Sequence, residues 1–178
     1  KAVPDFEVLE RRYQDIEETI GALLANEHEI EELPVDLNST VETISRVYRG
    51  QIDFTDEARR SAKKASYQDP HVAWRVLRGM AVNLPRLYQN SAQIEVDFRN
   101  ATGLELALGE GSCTRRNRSC RRERTVTYRG RSLDISAHVK FGNRSPKLLR
   151  VHYAMVDDMV VVGHLGDHLT TAGTRRRR

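Results

Sequence analysis

The sequence has no uninterrupted apolar run near the roughly 20 residues that a membrane-spanning helix needs, and its opening KAVPDFEVLERR has no secretory core. The expectation is a cytoplasmic chain with no membrane partner, and an opening so unlike a translation start reads as part of a longer or processed chain. Cysteine is scarce: Cys113 and Cys120 are the whole complement, spaced C-x6-C. That spacing is neither a zinc signature nor a disulfide framework, so both read as reduced thiols. Aromatics make up 6% of residues and the apolar fraction is 39%, below the roughly 45–50% of an average globular domain. No Gly-rich phosphate loop, nucleophile elbow or H-E-x-x-H occurs, so nucleotide hydrolysis, serine hydrolase and zincin chemistry lack their usual carriers. Basic residues without interleaved aromatics do not make a stacking platform for single strands.

The charge that is present is polarised along the chain. Residues 1–32 carry three basic and ten acidic side chains, whereas residues 113–178 carry sixteen basic and five acidic ones. A basic C-terminal third implies an anionic partner. Within it, Arg115, Arg116, Arg118, Arg121, Arg122 and Arg124 crowd into one segment with no apolar pattern, expected to be a mobile loop. Such residues suit contact with a phosphate backbone.

Hydrophobic spacing divides the chain into an expected helical region at 1–68, an α+β domain at 69–170 and a disordered basic tail at 171–178. Phe6, Leu9, Tyr13, Ile16, Ile20, Leu23 and Ile30 follow a near-heptad pattern, which suits a coiled-coil seam with a second copy or a partner protein through residues 6–30. An amphipathic helix packed on its own domain fits the same spacing. Leu33-Pro34 ends this helix. Further helices are expected from a cap at Ser39 or Thr40 to Arg49, from Thr55 through Ala65, and from Asp69-Pro70. The last, with Val72, Val76, Leu77, Met80, Ala81, Leu84 and Leu87 buried and Pro85 kinking or ending it, is expected to pack on the sheet, with Trp74 near the interface. Residues 94–102 suit strand or helix, and helix ending at Gly103 is the reading adopted.

Strands follow: a short one near Leu104, a hairpin about Arg129-Gly130, then Leu133–Phe141, Leu148–Tyr153 and Met159–Gly163, the last two joined by Asp157-Asp158. The fold class expected is α+β: a helical N-terminal half and a C-terminal antiparallel sheet of four or five strands packed on a helix. Parity sorts Arg150 and His152 onto one face of the middle strand. If the flanking turns close near Arg144 and Asp157, Arg150 lies opposite both His138 and His164. A solvent-facing row His138–Arg150–His164 would then offer a base, an acid and a cation for attack by an RNA 2′-hydroxyl. His152 and Lys140 would serve as substrate contacts. Such chemistry needs no metal or other cofactor, and His164 and His168 lack the helix that would aim them at one ion. The bland alternative is that these side chains line the wet face of a sheet or, because Val160 and Val162 share parity with His164, form hydrogen-bonded core groups.

Gly103-Leu104-Glu105-Leu106-Ala107, Tyr128-Arg129-Gly130, His138-Val139-Lys140-Phe141-Gly142, Leu149-Arg150-Val151-His152-Tyr153 and Gly163-His164-Leu165-Gly166-Asp167-His168-Leu169 together resemble a pattern in uncharacterised bacterial proteins found near mobile elements and defence genes. The terminal strands are also similar to the sheet of the RelE/ParE toxin superfamily, although the basic insertion and the long helical first half depart from it. The resemblance implies a toxin-like or defence-associated module that binds nucleic acid, RNA in the first instance; if an enzyme, it is a metal-independent ribonuclease. The rival is a non-catalytic assembly or dimerisation protein acting through the heptad helix.

Overall fold

The computed structural model describes residues 34–67 and 69–171, all within one compact unit spanning 34–178. The heptad helix expected over residues 6–30 and the basic tail beyond Thr171 lie outside the described residues. Helix α1 (Leu37–Val47) starts at Asp36 rather than at the expected Ser39 or Thr40. The Asp36 carboxylate accepts from the Ser39 amide at 2.7 Å, and Ser39 Oγ accepts from the Asp36 amide at 3.1 Å, a reciprocal cap. Val41, Ile44 and Val47 form its buried stripe. Strand β1 (Ile52–Phe54) follows, and helix α2 (Asp56–Lys64) opens on Thr55, whose hydroxyl accepts from the Ala58 amide.

Helix α3 (Pro70–Asn90) has the Asp69 cap and first-turn proline that its sequence suggests. It runs through Pro85 instead of ending there, because Leu84 and Leu87 on either side stay buried in the core. The strip held by the core outweighs one lost backbone bond. Helix α4 (Ile94–Thr102) ends on Gly103 in the left-handed conformation, φ 70°, which settles the choice between helix and strand. Strand β2 (Glu105–Ala107) comes next. The arginine-rich segment is not a structureless loop: it forms helices α5 (Ser112–Arg116) and α6 (Arg118–Glu123), the second capped by the Asn117 side chain. Strands β3 (Thr125–Tyr128) and β4 (Arg131–Asp134) make the hairpin about Arg129-Gly130, and β5 (Ala137–Phe141), β6 (Leu149–Val156) and β7 (Met159–Gly166) complete the chain.

The architecture is α plus β, with six helices among the described residues, a five-stranded sheet in the order β1-β7-β6-β5-β2, and the separate β3–β4 ribbon. The sheet is mixed rather than antiparallel throughout: β1 runs parallel to β7, pairing Ile52 with Val160 and Phe54 with Val162. Residues 52–54 thus join the same sheet as residues 159–166, and no domain boundary falls at residue 68. One sheet face carries Leu106, Val139, Val151, Tyr153, Val160, Val162 and Leu165, all buried. Helices cover it. Tyr88 of α3 meets Tyr153 hydroxyl to hydroxyl at 3.1 Å, and Ser61 of α2 accepts from the Leu165 amide at 2.9 Å. Trp74 is half-buried and packs on Tyr48 rather than on the sheet.

The other face is covered as well. The end of the β3–β4 ribbon closes over it, with Ile135 fully buried, Tyr128 donating to Asp53 at 2.7 Å, and Arg124 beneath α6 paired with Glu110 at 2.7 Å. The face expected to be wet is therefore an interior layer.

Candidate functional site

Register decides which side chains meet on this inner face. Strands β5 and β6 pair His138 with His152 and Lys140 with Arg150. The loop between them, residues 142–148, is centred one residue later than Arg144, and a one-residue change in turn centre moves every partner by two. Parity, and so the face, is preserved, but the partner changes. Between β6 and β7 the turn is the two-residue Asp157-Asp158, both at positive φ (48° and 62°), as a primed hairpin turn requires. Pairing runs regularly to Tyr153↔Val162, slips at Gly163, and resumes as His152↔His164 and Arg150↔Gly166.

The bulge at Gly163 is what brings His164 to the site. Without the extra residue His164 would oppose Val151 and point into the helical layer; with it, His164 shares the face of His152. The row that forms is therefore His138–His152–His164, with His152 at its centre. The expected row centred on Arg150 does not form: Arg150 stands one pair further along, beside Lys140 and Gly166. The rings of His138 and His152 stack with centroids 4.6 Å apart, and His164 meets His152 edge-on at 5.7 Å.

Nor does the row face solvent. His152 is 0% exposed and His138 5%, while His164 is half-buried. Each imidazole has one nitrogen against a backbone carbonyl: His138 Nδ1 on Ser136 O at 3.0 Å, His152 Nδ1 on Ile135 O at 3.0 Å, and His164 Nε2 on Asp167 O at 2.7 Å. A carbonyl oxygen only accepts, so the proton sits on that nitrogen, and in the neutral ring the other nitrogen presents a lone pair. Burial favours the neutral ring. It lowers the pKa of all three, and that of His152 falls well below the usual imidazole range, reinforced by its neighbours His138 and His164.

Arg150 is a structural arginine. Its Nη1 lies 2.9–3.0 Å from the carbonyls of Phe141, Gly142 and Leu149, so it holds the end of the β5–β6 loop. Arg124, expected among the phosphate contacts, is 2% exposed; it binds Glu110 through Nε, and the Cys120 and Thr170 carbonyls through Nη1. Glu110 is a member that the sequence did not single out. Its one signal is that it is the only carboxylate between Glu105 and Glu123. Its carboxylate, His138 Nε2 or Nδ1 and an imidazole nitrogen of His152 all lie within 4.8 Å of one another. His152 Nε2 and Arg124 Nη2 are buried with no hydrogen-bond partner among the described residues.

The remaining basic residues stand apart from this cluster. Arg115, Arg116, Arg118, Arg121 and Arg122 are exposed on α5 and α6, and Lys140 is half-buried at the lower end of the sheet. His168 is exposed with its ring on the Leu169 carbonyl, while His164 is turned to Asp167 O. No family model, no curated protein and no solved structure matches the chain.

Proposed function

We propose that the protein binds nucleic acid, RNA in the first instance, through the guanidinium-bearing surface of α5 and α6. The observation that carries this reading is that Arg115, Arg116, Arg118, Arg121 and Arg122 are all exposed within eight residues, and none has a carboxylate partner among the described residues. Arg129 and Arg131 add exposed charge on the adjoining hairpin, although Arg129 also lies 3.7 Å from Asp53. A surface of this kind gains free energy by displacing condensed counterions from a phosphate chain. It has no aromatic platform, so contact is with the backbone and not with base faces.

Binding rather than cleavage is the activity supported. Phosphate and ribose need a base and an acid within hydrogen-bond reach, and His138 and His152 lie beneath the ribbon. The resemblance to mobile-element and RelE/ParE-type proteins fits a toxin-like or defence-associated RNA binder. Filter binding of single-stranded RNA over a salt series tests it. Five phosphate contacts give log Kobs against log[salt] a slope near −3.5, since each contributes about −0.7 on a single strand. The triple variant Arg118→Gln, Arg121→Gln, Arg122→Gln should flatten that slope by about 2. Flat or negligible binding by the intact protein rejects the reading, and a preference for duplex DNA over RNA corrects its substrate class.

A further inference from the structure

We propose that Glu110, His138 and His152 form a binding site for a divalent transition-metal ion, zinc by preference. The site is separate from the arginine surface and does not depend on its binding nucleic acid. Two imidazoles and one carboxylate offer nitrogen and oxygen ligands within 4.8 Å of one another. A tetrahedral zinc ion with bonds of about 2.0–2.2 Å holds its ligands about 3.4 Å apart. The cluster must therefore contract, with the Glu110 carboxylate, on the loop between β2 and α5, drawn inward and the stacked imidazoles of His138 and His152 tilting toward one another.

Three features separate a metal site from a chance meeting of polar side chains. The first is orientation. His138 and His152 each direct Nδ1 to a backbone carbonyl, the outer contact that metal-ligating histidines ordinarily make, and this leaves both Nε2 lone pairs free. The second is the state of His152 Nε2, buried in a fully enclosed side chain with no hydrogen-bond partner among the described residues. A buried acceptor with no partner has lost its hydration without replacement, and a ligated ion removes that cost. The third is Glu110, whose side chain is 9% exposed and engages Arg124 through only one oxygen at hydrogen-bonding distance. The other oxygen is available to ligate.

The alternative occupant is an anion, because Arg124 Nη2 is also unpartnered. The tautomers decide against it. With Nδ1–H committed to carbonyls, a neutral imidazole turns a lone pair toward the cluster, and lone pairs repel phosphate while they attract a cation. Two protein nitrogens and one oxygen leave a fourth position open, as in zinc sites that keep a bound water.

The test uses the full chain carrying Cys113→Ser, which removes its exposed thiol, dialysed against chelator and titrated with zinc or cobalt(II) chloride. The expected results are one ion per chain, a cobalt visible spectrum of tetrahedral type, and a melting temperature raised by about 5–10 °C at a hundredfold excess over Kd. His138→Gln and Glu110→Gln should each weaken binding by more than the roughly 10–100-fold that loss of an outer partner costs. His168→Ala, the exposed member of the H-x3-H pair, should leave affinity unchanged. If the ligand variants do not fold, the zinc-dependent melting shift of the parent decides alone. No stoichiometric binding, no melting shift, undiminished affinity in a folded His138→Gln protein, or stabilisation by inorganic phosphate in place of zinc would each overturn the proposal.

Discussion

Gly163 shows how much can rest on one missing side chain. A Cβ there would stand 2.7 Å from Ile135 Cγ2 and 2.8 Å from Ile135 Cδ1, inside the contact limit of two carbons. The position thus serves twice: it absorbs the extra residue that turns His164 to the inner face, and it lets the ribbon close on the sheet. Gly163→Ala should destabilise the protein by about 1–3 kcal/mol through overpacking, measured by urea denaturation. An unchanged midpoint would mean that Ile135 swings aside and that the layers are not locked there. Arg150 carries a related lesson. Histidine and arginine alternating on one strand look like an active row, yet the arginine is spent on three carbonyls of its own loop.

At the scale of elements, local chemistry predicts helix starts well and their exact first residue less well. The segment Asp36–Thr40 contains four side chains able to cap; Asp36 takes the role because Ser39 can return the hydrogen bond, whereas Thr40 is drawn into the first turn and buried. The Ser39 amide and hydroxyl bonds hold the Asp36 carboxyl below its ordinary pKa. A carboxyl depressed in the folded state contributes stability that is present above its unfolded value, near 3.8, and is lost as pH falls through the folded value. Asp36→Ala should therefore lower the melting temperature by about 2–4 °C at pH 7, and the difference from the parent should shrink once the pH falls below 3.8. A gap that persists undiminished into strong acid would assign the loss to something other than the ionised cap. The arginine-rich segment is helical for a nonlocal reason. Thr114, Cys120 and Arg124 are buried against the body of the protein, and that anchoring folds a segment with five arginines into two short helices.

Over the whole molecule the central strands are enclosed twice, by α2 and α3 on one side and the ribbon with α6 on the other. Residues of β6 and β7 from Leu149 to Tyr153 and from Val160 to Gly163 are buried without interruption on both faces. Opening them exposes both layers at once, so their amides should be the slowest to exchange in native-state hydrogen exchange and should report global unfolding. Helices α5 and α6, one or two turns each, should exchange orders of magnitude faster. Equal protection across these regions would refute the layered account. The same layering keeps the imidazole cluster inside and the five exposed guanidiniums of α5 and α6 outside.

The sequence by itself determined the helices between residues 37 and 102, the turns at Arg129-Gly130 and Asp157-Asp158, the face on which His138, Arg150, His152 and His164 lie, and the excess of arginine, because caps, turn residues, parity and charge act over a few residues. Only the tertiary structure decided the parallel edge strand β1, the enclosure of the inner face, the partnership of Glu110 with Arg124, and the replacement of Arg150 by His152 at the centre of the row. Those depend on where two loops are centred and on one bulge. A register is set by the energy of whole packed layers and not by the residues that happen to face each other.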